Sequence, residues 1–254
     1  MTKNKSRSSN KLFVIFVSIF CIMLCISFAE LFSSLITTSG MSNIKDSEIK
    51  QNSFTLYAIS LYSTETEALA KENAVLARRH GGAGFIWQGE DKFYVLASCY
   101  ENNSDATKVK ENLQTGGTTC EVIELKFDAL AISSTVTGQE KTALEQSLQC
   151  YKNLYKQLYD LSVSIDTNLL TEIQAKVSLS DITSNFSKIQ SNFNALLNSK
   201  LTASILEVKL SLENVEEILE SLEQFSSSET PYTSMVKYSY FNILDEYVKL
   251  QKKI

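Results

Sequence analysis

The stretch FTLYAISLYSTETEALAKENAVLARRHGG, Phe54 to Gly82, changes its period once and then stops. Its first residues alternate, with Tyr57, Ile59 and Leu61 on one side and Ala58, Ser60 and Tyr62 on the other, which is the period-two pattern of a strand. From Thr64 the spacing becomes helical. Ala68, Leu69, Val75 and Leu76 are the apolar members, with acids early and Arg78, Arg79 and His80 late, the polarity that a helix dipole favours. Gly81 and Gly82 end the helix, because glycine enters left-handed backbone space at little cost.

The same order then recurs. GFIWQG reads as a short second strand, Gly89-Glu90-Asp91 as a turn, and KFYVLASCY, Lys92 to Tyr100, as a third strand. Asn102 to Gln114 reads as a second helix stopped by Gly116-Gly117, and TTCEVIEL is a fourth strand. The expected fold of Phe54 to Leu125 is therefore the β-α-β-β-α-β, ferredoxin-like arrangement, an antiparallel sheet with both helices on one face and the other face open for binding. Strand parity puts Ser60, Tyr62, Tyr94, Leu96 and Ser98 on that open face. Their rings can stack on sugar rings, pack on a protein segment, or cover sheet beneath the C-terminal helices. Trp87 is expected in the core or at its rim.

At these residues the chain resembles the SPOR domain family, the cell-envelope repeats that bind septal peptidoglycan. The family's first strand ends in a glutamine-leucine-glycine-serine-phenylalanine run, and its third reads arginine-valine-x-valine-glycine-proline-phenylalanine. The corresponding stretches here are YAISLYS, Tyr57 to Ser63, and YVLASCY, Tyr94 to Tyr100. Ser60 stands in place of the glutamine, Tyr62 of the glycine, Tyr94 of the arginine, and Ser98-Cys99 of glycine-proline. The resemblance implies peptidoglycan glycan strands as the partner, bound on the open face by a non-catalytic domain in cell division or sporulation. The departures thin the polar groups there and favour the alternative, a scaffold that binds only protein.

Beyond Gly138 there is no glycine, and Pro231 is the chain's single proline. A long all-β C-terminal half is excluded, since hairpins need turn residues at regular spacing. Leu144, Leu148, Tyr151, Leu154 or Tyr155, Leu158 and Leu161 recur by threes and fours, as on one face of a helix. Asp166 or Thr167 is expected to cap a second helix. Ile182, Phe186, Ile189, Phe193 and Leu196, then Leu201, Ile205, Val208, Leu212, Val215, Leu219 and Leu222, form a seam whose register slips near Asn198-Ser199-Lys200, at a stutter or a helix break. Phe225 to Pro231 is a loop, and a last helix carries Val236, Tyr240, Ile243, Leu244, Tyr247 and Leu250 and ends on Lys252-Lys253. The expectation is an intramolecular bundle over 139–254, with a coiled-coil dimer, self-association or a protein partner on these helices as the alternative. The acids Glu213, Glu216, Glu217, Glu220 and Glu223 read as a solvated face.

Toward the N-terminus, Leu12 to Phe28 holds no charged residue, and Lys3, Lys5, Arg7 and Lys11 precede it without an acid. Continued to Ile36, the segment reaches about 37 Å as a helix and can span a bilayer. The expected organisation is a basic tail at 1–11, a transmembrane anchor at 12–36, a linker at 37–52, the SPOR-like domain at 53–127 and the helical region at 139–254. The basic flank orients the N-terminus to the cytoplasm and the bulk outside the plasma membrane of a bacterium. Ser27 and Ala29 also fit a signal-peptide cleavage site, and either reading exports the remainder. Leu24 disfavours a lipid attachment at Cys25.

Catalytic motifs are missing. The sequence has one histidine, His80, at a helix end beside two arginines, and no nucleophile elbow, Walker loop, zinc-binding helix or paired Cys-x-x-Cys. An enzyme is not expected, nor is a metal or cofactor. The net charge of −5 and a pI near 5.1 argue against nucleic acid. Cys99, at the end of the third strand, and Cys120, at the start of the fourth, are expected at opposite ends of two parallel strands. With Cys150 they should be free, buried thiols.

Overall fold

The structure, a computed structural model, describes residues 45–254, with side chains from Glu48 onward. In chain order the elements are β1 (Lys45–Gln51), β2 (Phe54–Thr64), α1 (Glu67–Arg79), β3 (Phe85–Gln88), β4 (Phe93–Tyr100), α2 (Asn103–Thr115), β5 (Glu121–Phe127), β6 (Leu130–Val136), α3 (Gly138–Asp166), α4 (Glu172–Leu197), α5 (Ala203–Glu223) and α6 (Tyr232–Lys253). This is an α+β fold with two sheets. The anchor expected at 12–36 lies outside the described residues, and among the described residues no helix is long and apolar enough to cross a membrane.

The glycine pairs stop both short helices by one mechanism. After α1 the Gly82 N–H donates to the Ala77 carbonyl at 2.9 Å and Gly81 adopts φ +88°. After α2 the Thr118 N–H donates to the Leu113 carbonyl at 2.9 Å and Gly117 adopts φ +84°. Both are Schellman closures, which place the residue after the cap in the left-handed region. The strands between them form a sheet in the order β3-β4-β2-β5 with every neighbour antiparallel.

Both helices lie on one face of this sheet, though α1 turns a different side to it than its sequence implies. Leu69, Val75 and Leu76 are exposed at 47, 42 and 45%, whereas Ala70, Ala74 and Ala77 face Val95 on β4. Only small residues fit here. A Cβ on Gly84 would lie 2.2 Å from the Ala74 carbonyl oxygen, and Arg78 closes the contact by donating from Nη1 to the Gly84 carbonyl at 2.9 Å. Close backbone approach has outweighed the burial of larger side chains.

The expected linker at 37–52 ends instead in a strand. β1 pairs antiparallel with β6 from Lys45 opposite Val136 to Gln51 opposite Leu130, which buries Ile49 completely. The partner strand lies some eighty residues further on, and a polar seven-residue segment gives no local sign of it.

The C-terminal helices form an intramolecular bundle, and the register slip marks a break, with α4 ending at Leu197 and α5 starting at Ala203. Phe186, Phe193, Val208, Leu212, Val215 and Leu219 are at most 1% exposed within the single chain, so the seam is already occupied. Thr137 and Glu140 make a reciprocal capping box on α3, and Thr171 and Gln174 make one on α4. Thr171 thus takes the capping role expected of Asp166 or Thr167. The Asp166 carboxylate instead accepts from the Thr233 hydroxyl at 2.8 Å and pairs with Lys237 at 2.6 Å, tying the end of α3 to the start of α6. Burial alone would raise the Glu140 carboxyl, but hydrogen bonds from Lys200 and Thr137 outweigh it and hold the group below the usual carboxylate range.

The described residues, 45–254, fall in one compact unit, so the sheet domain and the helical domain do not separate at 127–139. A single core joins Leu56, Ala58, Phe85, Leu96, Leu125 and Phe127 of the sheet to α3, α6 and the bundle interior.

Candidate functional site

The sheet face expected to be open is the one this core fills. Ser60 is 1% exposed and Leu96 is fully buried. The Ser60 hydroxyl is spent locally, donating to the Tyr62 carbonyl at 2.8 Å. Tyr94 is half-buried and packs with Trp87 at the rim of the core. Trp87 lies edge-on to Phe127 with centroids 6.2 Å apart, which places it where the sequence put it.

Tyr62 and Ser98 leave this face altogether. The β2–β4 register shifts between Ile59 and Ser60 and again between Ser60 and Tyr62. Ser98 consequently falls opposite Ile59, and Tyr62 opposite Val95. Ile59 and Val95 belong to the clusters that pack on α2 and α1, and directly paired residues point to the same side of a sheet. Strict alternation from the sequence misses these irregularities, because a bulge reverses parity beyond it. Tyr62 is left 39% exposed, and the Ser98 hydroxyl donates to the Tyr100 hydroxyl at 3.0 Å. The five predicted residues do not form one accessible surface.

What gathers on the covered face is a tyrosine cluster around Cys99. β3 pairs with β4 only as far as Leu96, so Cys99 has no strand on that side. Tyrosines from the bundle take the place of one. The Cys99 N–H donates to the Tyr240 hydroxyl of α6 at 3.3 Å, and the Tyr155 hydroxyl of α3 donates to the Cys99 carbonyl at 3.3 Å. Buried backbone groups need partners, and two phenols supply them without a strand. The rings of Tyr155 and Tyr240 meet edge to face with centroids 5.5 Å apart, and at the end of β4 Tyr100, which packs with the α2-side cluster, meets Tyr159 edge to face at 5.8 Å.

A second aromatic group closes the other end of the face. Phe54 stacks on Phe127 at 4.6 Å and 9°, Tyr247 packs on both, and the Tyr247 hydroxyl donates to the Asp128 carbonyl at 3.2 Å. Gln251 also donates to that carbonyl. Between the two groups Phe85 stacks on Phe241 at 5.4 Å.

The electrostatics suit packing rather than chemistry. Burial pushes the Cys99 and Cys150 thiols up, so each stays protonated and a poor nucleophile at neutral pH. Burial likewise raises Tyr155 and Tyr240, and Tyr159 to about 12. Cys99, Cys120 and Cys150 are free and buried, as expected. β4 and β5 do run parallel, but β5 is offset along β2. Cys99 and Cys120 are kept apart by β2 and by lying in cores on opposite sheet faces rather than at opposite ends. Among the described residues no group of three His, Cys, Asp or Glu side chains is placed to hold a metal ion. His80 caps the end of α1 and is exposed.

Comparison with family models, with curated proteins and with solved structures returns no match for this chain.

Proposed function

We propose that this chain is a membrane-anchored, extracytoplasmic scaffold of the bacterial envelope, without catalytic activity, in which sheet and bundle form one body that works through protein contacts. The apolar segment Leu12 to Phe28 behind its basic flank supports the anchor. The observation that carries the scaffold reading is the covered sheet face: Leu96 and Ser60, central to the surface where a glycan would lie, are buried under α3 and α6.

The second reading, a SPOR-like domain that binds peptidoglycan, draws support from the ferredoxin-like element order and the β3-β4-β2-β5 strand order. It would need a surface other than the one the resemblance implies. Co-sedimentation of residues 45–254 with amidase-trimmed peptidoglycan sacculi separates the two. The scaffold reading expects the protein in the supernatant at every sacculus concentration. Saturable retention would overturn it and restore glycan binding.

A further inference from the structure

We propose that the outer face of α4 and α5 docks a basic amphipathic helix of a partner protein, with the partner's cations on the α5 glutamates and its apolar stripe on α4. The proposal rests on the scaffold reading and deepens it, by naming the surface and the chemistry of the contact.

These two helices form the layer of the bundle away from the sheet. α4 packs on α3 and α5, and α5 chiefly on α4 and α6, while α3 and α6 meet the sheets. The outward side of α4 starts with Ile173 and Val177, at 78 and 64% the most exposed large apolar side chains among the described residues. It continues through the exposed Ser180, Ser184, Ser191 and Ala195, and only Asp181 and Lys188, of opposite sign, interrupt it. Side chains this short let a second helix axis approach to about 8–10 Å.

α5 presents the opposite character. Glu213, Glu216, Glu217, Glu220 and Glu223 fill its second half, and each has a like charge three or four residues away, which destabilises a helix. Among the described residues none of the five has an ion pair, and Glu216 alone accepts a hydrogen bond, from the neutral Gln190 amide of α4 at 2.8 Å. By contrast Glu172, Glu207 and Asp245, on the same three outer and neighbouring helices, each pair with a lysine.

Two buried polar atoms add to the deficit. Asn194, one turn beyond Gln190 on the α5 side of α4, has its Oδ1 buried without a partner. Tyr232, 4% exposed at the start of α6, has a buried hydroxyl without one. Burial raises that phenol, and the carboxylates of Glu172 and Glu223 raise it further, so the start of α4 and the end of α5 come together around it. Ile173 and Val177 stand at that same end. The face is therefore rich in negative charge and poor in donors, beside an uncovered apolar strip.

Charge and spacing select the occupant. The glutamates span about 15 Å along α5, over which a helix presents lysines or arginines at i, i+3, i+4 and i+7. The uncharged strip on α4 takes the apolar stripe beside those cations, as in other helix-in-groove contacts. Nucleic acid or an anionic lipid surface would meet like charge here. A second copy using the same face would set glutamates against glutamates.

The test measures binding of a fluorescent designed peptide of about 18 residues to residues 45–254. The peptide carries lysines on one helical stripe and leucine and alanine on the next, and a shuffled peptide of the same composition is the control. The ordered peptide should bind saturably and more weakly as salt rises, and the shuffled one about tenfold or more weakly still. Glu217→Lys with Glu220→Lys, and separately Val177→Glu, should each weaken binding about tenfold or more, while Leu76→Glu on α1 should not, all with unchanged circular dichroism spectra. Equal binding of the two peptides, or binding indifferent to either the glutamate or the Val177 substitution, would overturn the proposal. The sacculus assay decides the scaffold reading separately: protein that stays in the supernatant but ignores the ordered peptide sinks this site alone, and saturable sacculus retention beside intact, Val177-dependent peptide binding sinks that reading alone.

Discussion

A fragment cut after Phe127, which keeps the four-stranded sheet with α1 and α2 but loses the bundle, is expected to aggregate or to persist as a loosely packed collapsed state. The reason is where the apolar area lies. On the α1 and α2 side the fully buried helix residues are Ala70, Ala74, Ala77 and Ala106, each of which buries only a methyl group, while Val109 and Leu113 of α2 are only partly buried. At about 0.8 kcal/mol per buried carbon, such contacts contribute little against the entropy of ordering the chain. The large side chains, Leu56, Phe85, Leu96, Leu125 and Phe127, are at most 7% exposed and face the bundle. Without it they would form a contiguous bare patch. The fragment should bind a hydrophobic dye and give poor amide dispersion, as states without fixed packing do. A well-dispersed spectrum from a soluble monomer would contradict this.

Phe127→Ala in the intact chain should be among the costliest single substitutions. Phe127 is 1% exposed and lies among Phe54, Trp87 and Tyr247, with ring centroids at 4.6, 6.2 and 6.3 Å. Truncating a buried phenylalanine removes its transfer energy and leaves a cavity, together about 3–5 kcal/mol. For a unit of this size that lowers Tm by about 6–20 °C. Leu76→Ala is the matched control, since Leu76 is 45% exposed on α1 and its loss should change stability by about 0.5 kcal/mol or less. Thermal unfolding of the two variants checks the contrast. A loss below about 1 kcal/mol at Phe127 would mean that the aromatic group does not join sheet to bundle.

Local chemistry made much of the fold legible. The two Gly-Gly pairs announced two Schellman closures, the changes of period announced the strands and helices between them, and Phe225 to Pro231 announced the last loop. What stayed hidden depends on contacts distant in sequence. β1 becomes a strand only because β6 pairs with it. Leu69, Val75 and Leu76 look like the buried face of α1 until the close approach of Gly84 to the Ala74 backbone sets the helix against the sheet through Ala70, Ala74 and Ala77. The candidate site was misread for two further reasons. The β2–β4 register shifts reverse the parity that had put Tyr62 and Ser98 beside Leu96. The helical half also does not stand apart but lies on the sheet. The tyrosines on α3 gave a partial signal, since Tyr151 and Tyr155 fall on the apolar stripe where leucine would serve burial alone. Their hydroxyls have specific partners, Ser211 at 2.8 Å and the Cys99 carbonyl at 3.3 Å.

These contacts bear directly on function. A bundle that opened like a lid would have to bare Leu56, Phe85, Leu96 and Phe127 together and leave the Cys99 backbone without Tyr155 and Tyr240. A removable cover would be more polar and less continuous with its own core. The covered face therefore acts as structure.

Native-state hydrogen exchange on residues 45–254, followed as denaturant is raised, tests the shared core most directly. The amides of β2, β4, α3 and α6 should converge on one opening free energy with one denaturant dependence, because none can open without exposing the others. Exchange of β2 and β4 at distinctly lower free energy, while α3 and α6 stay protected, would show two independent domains and contradict the account.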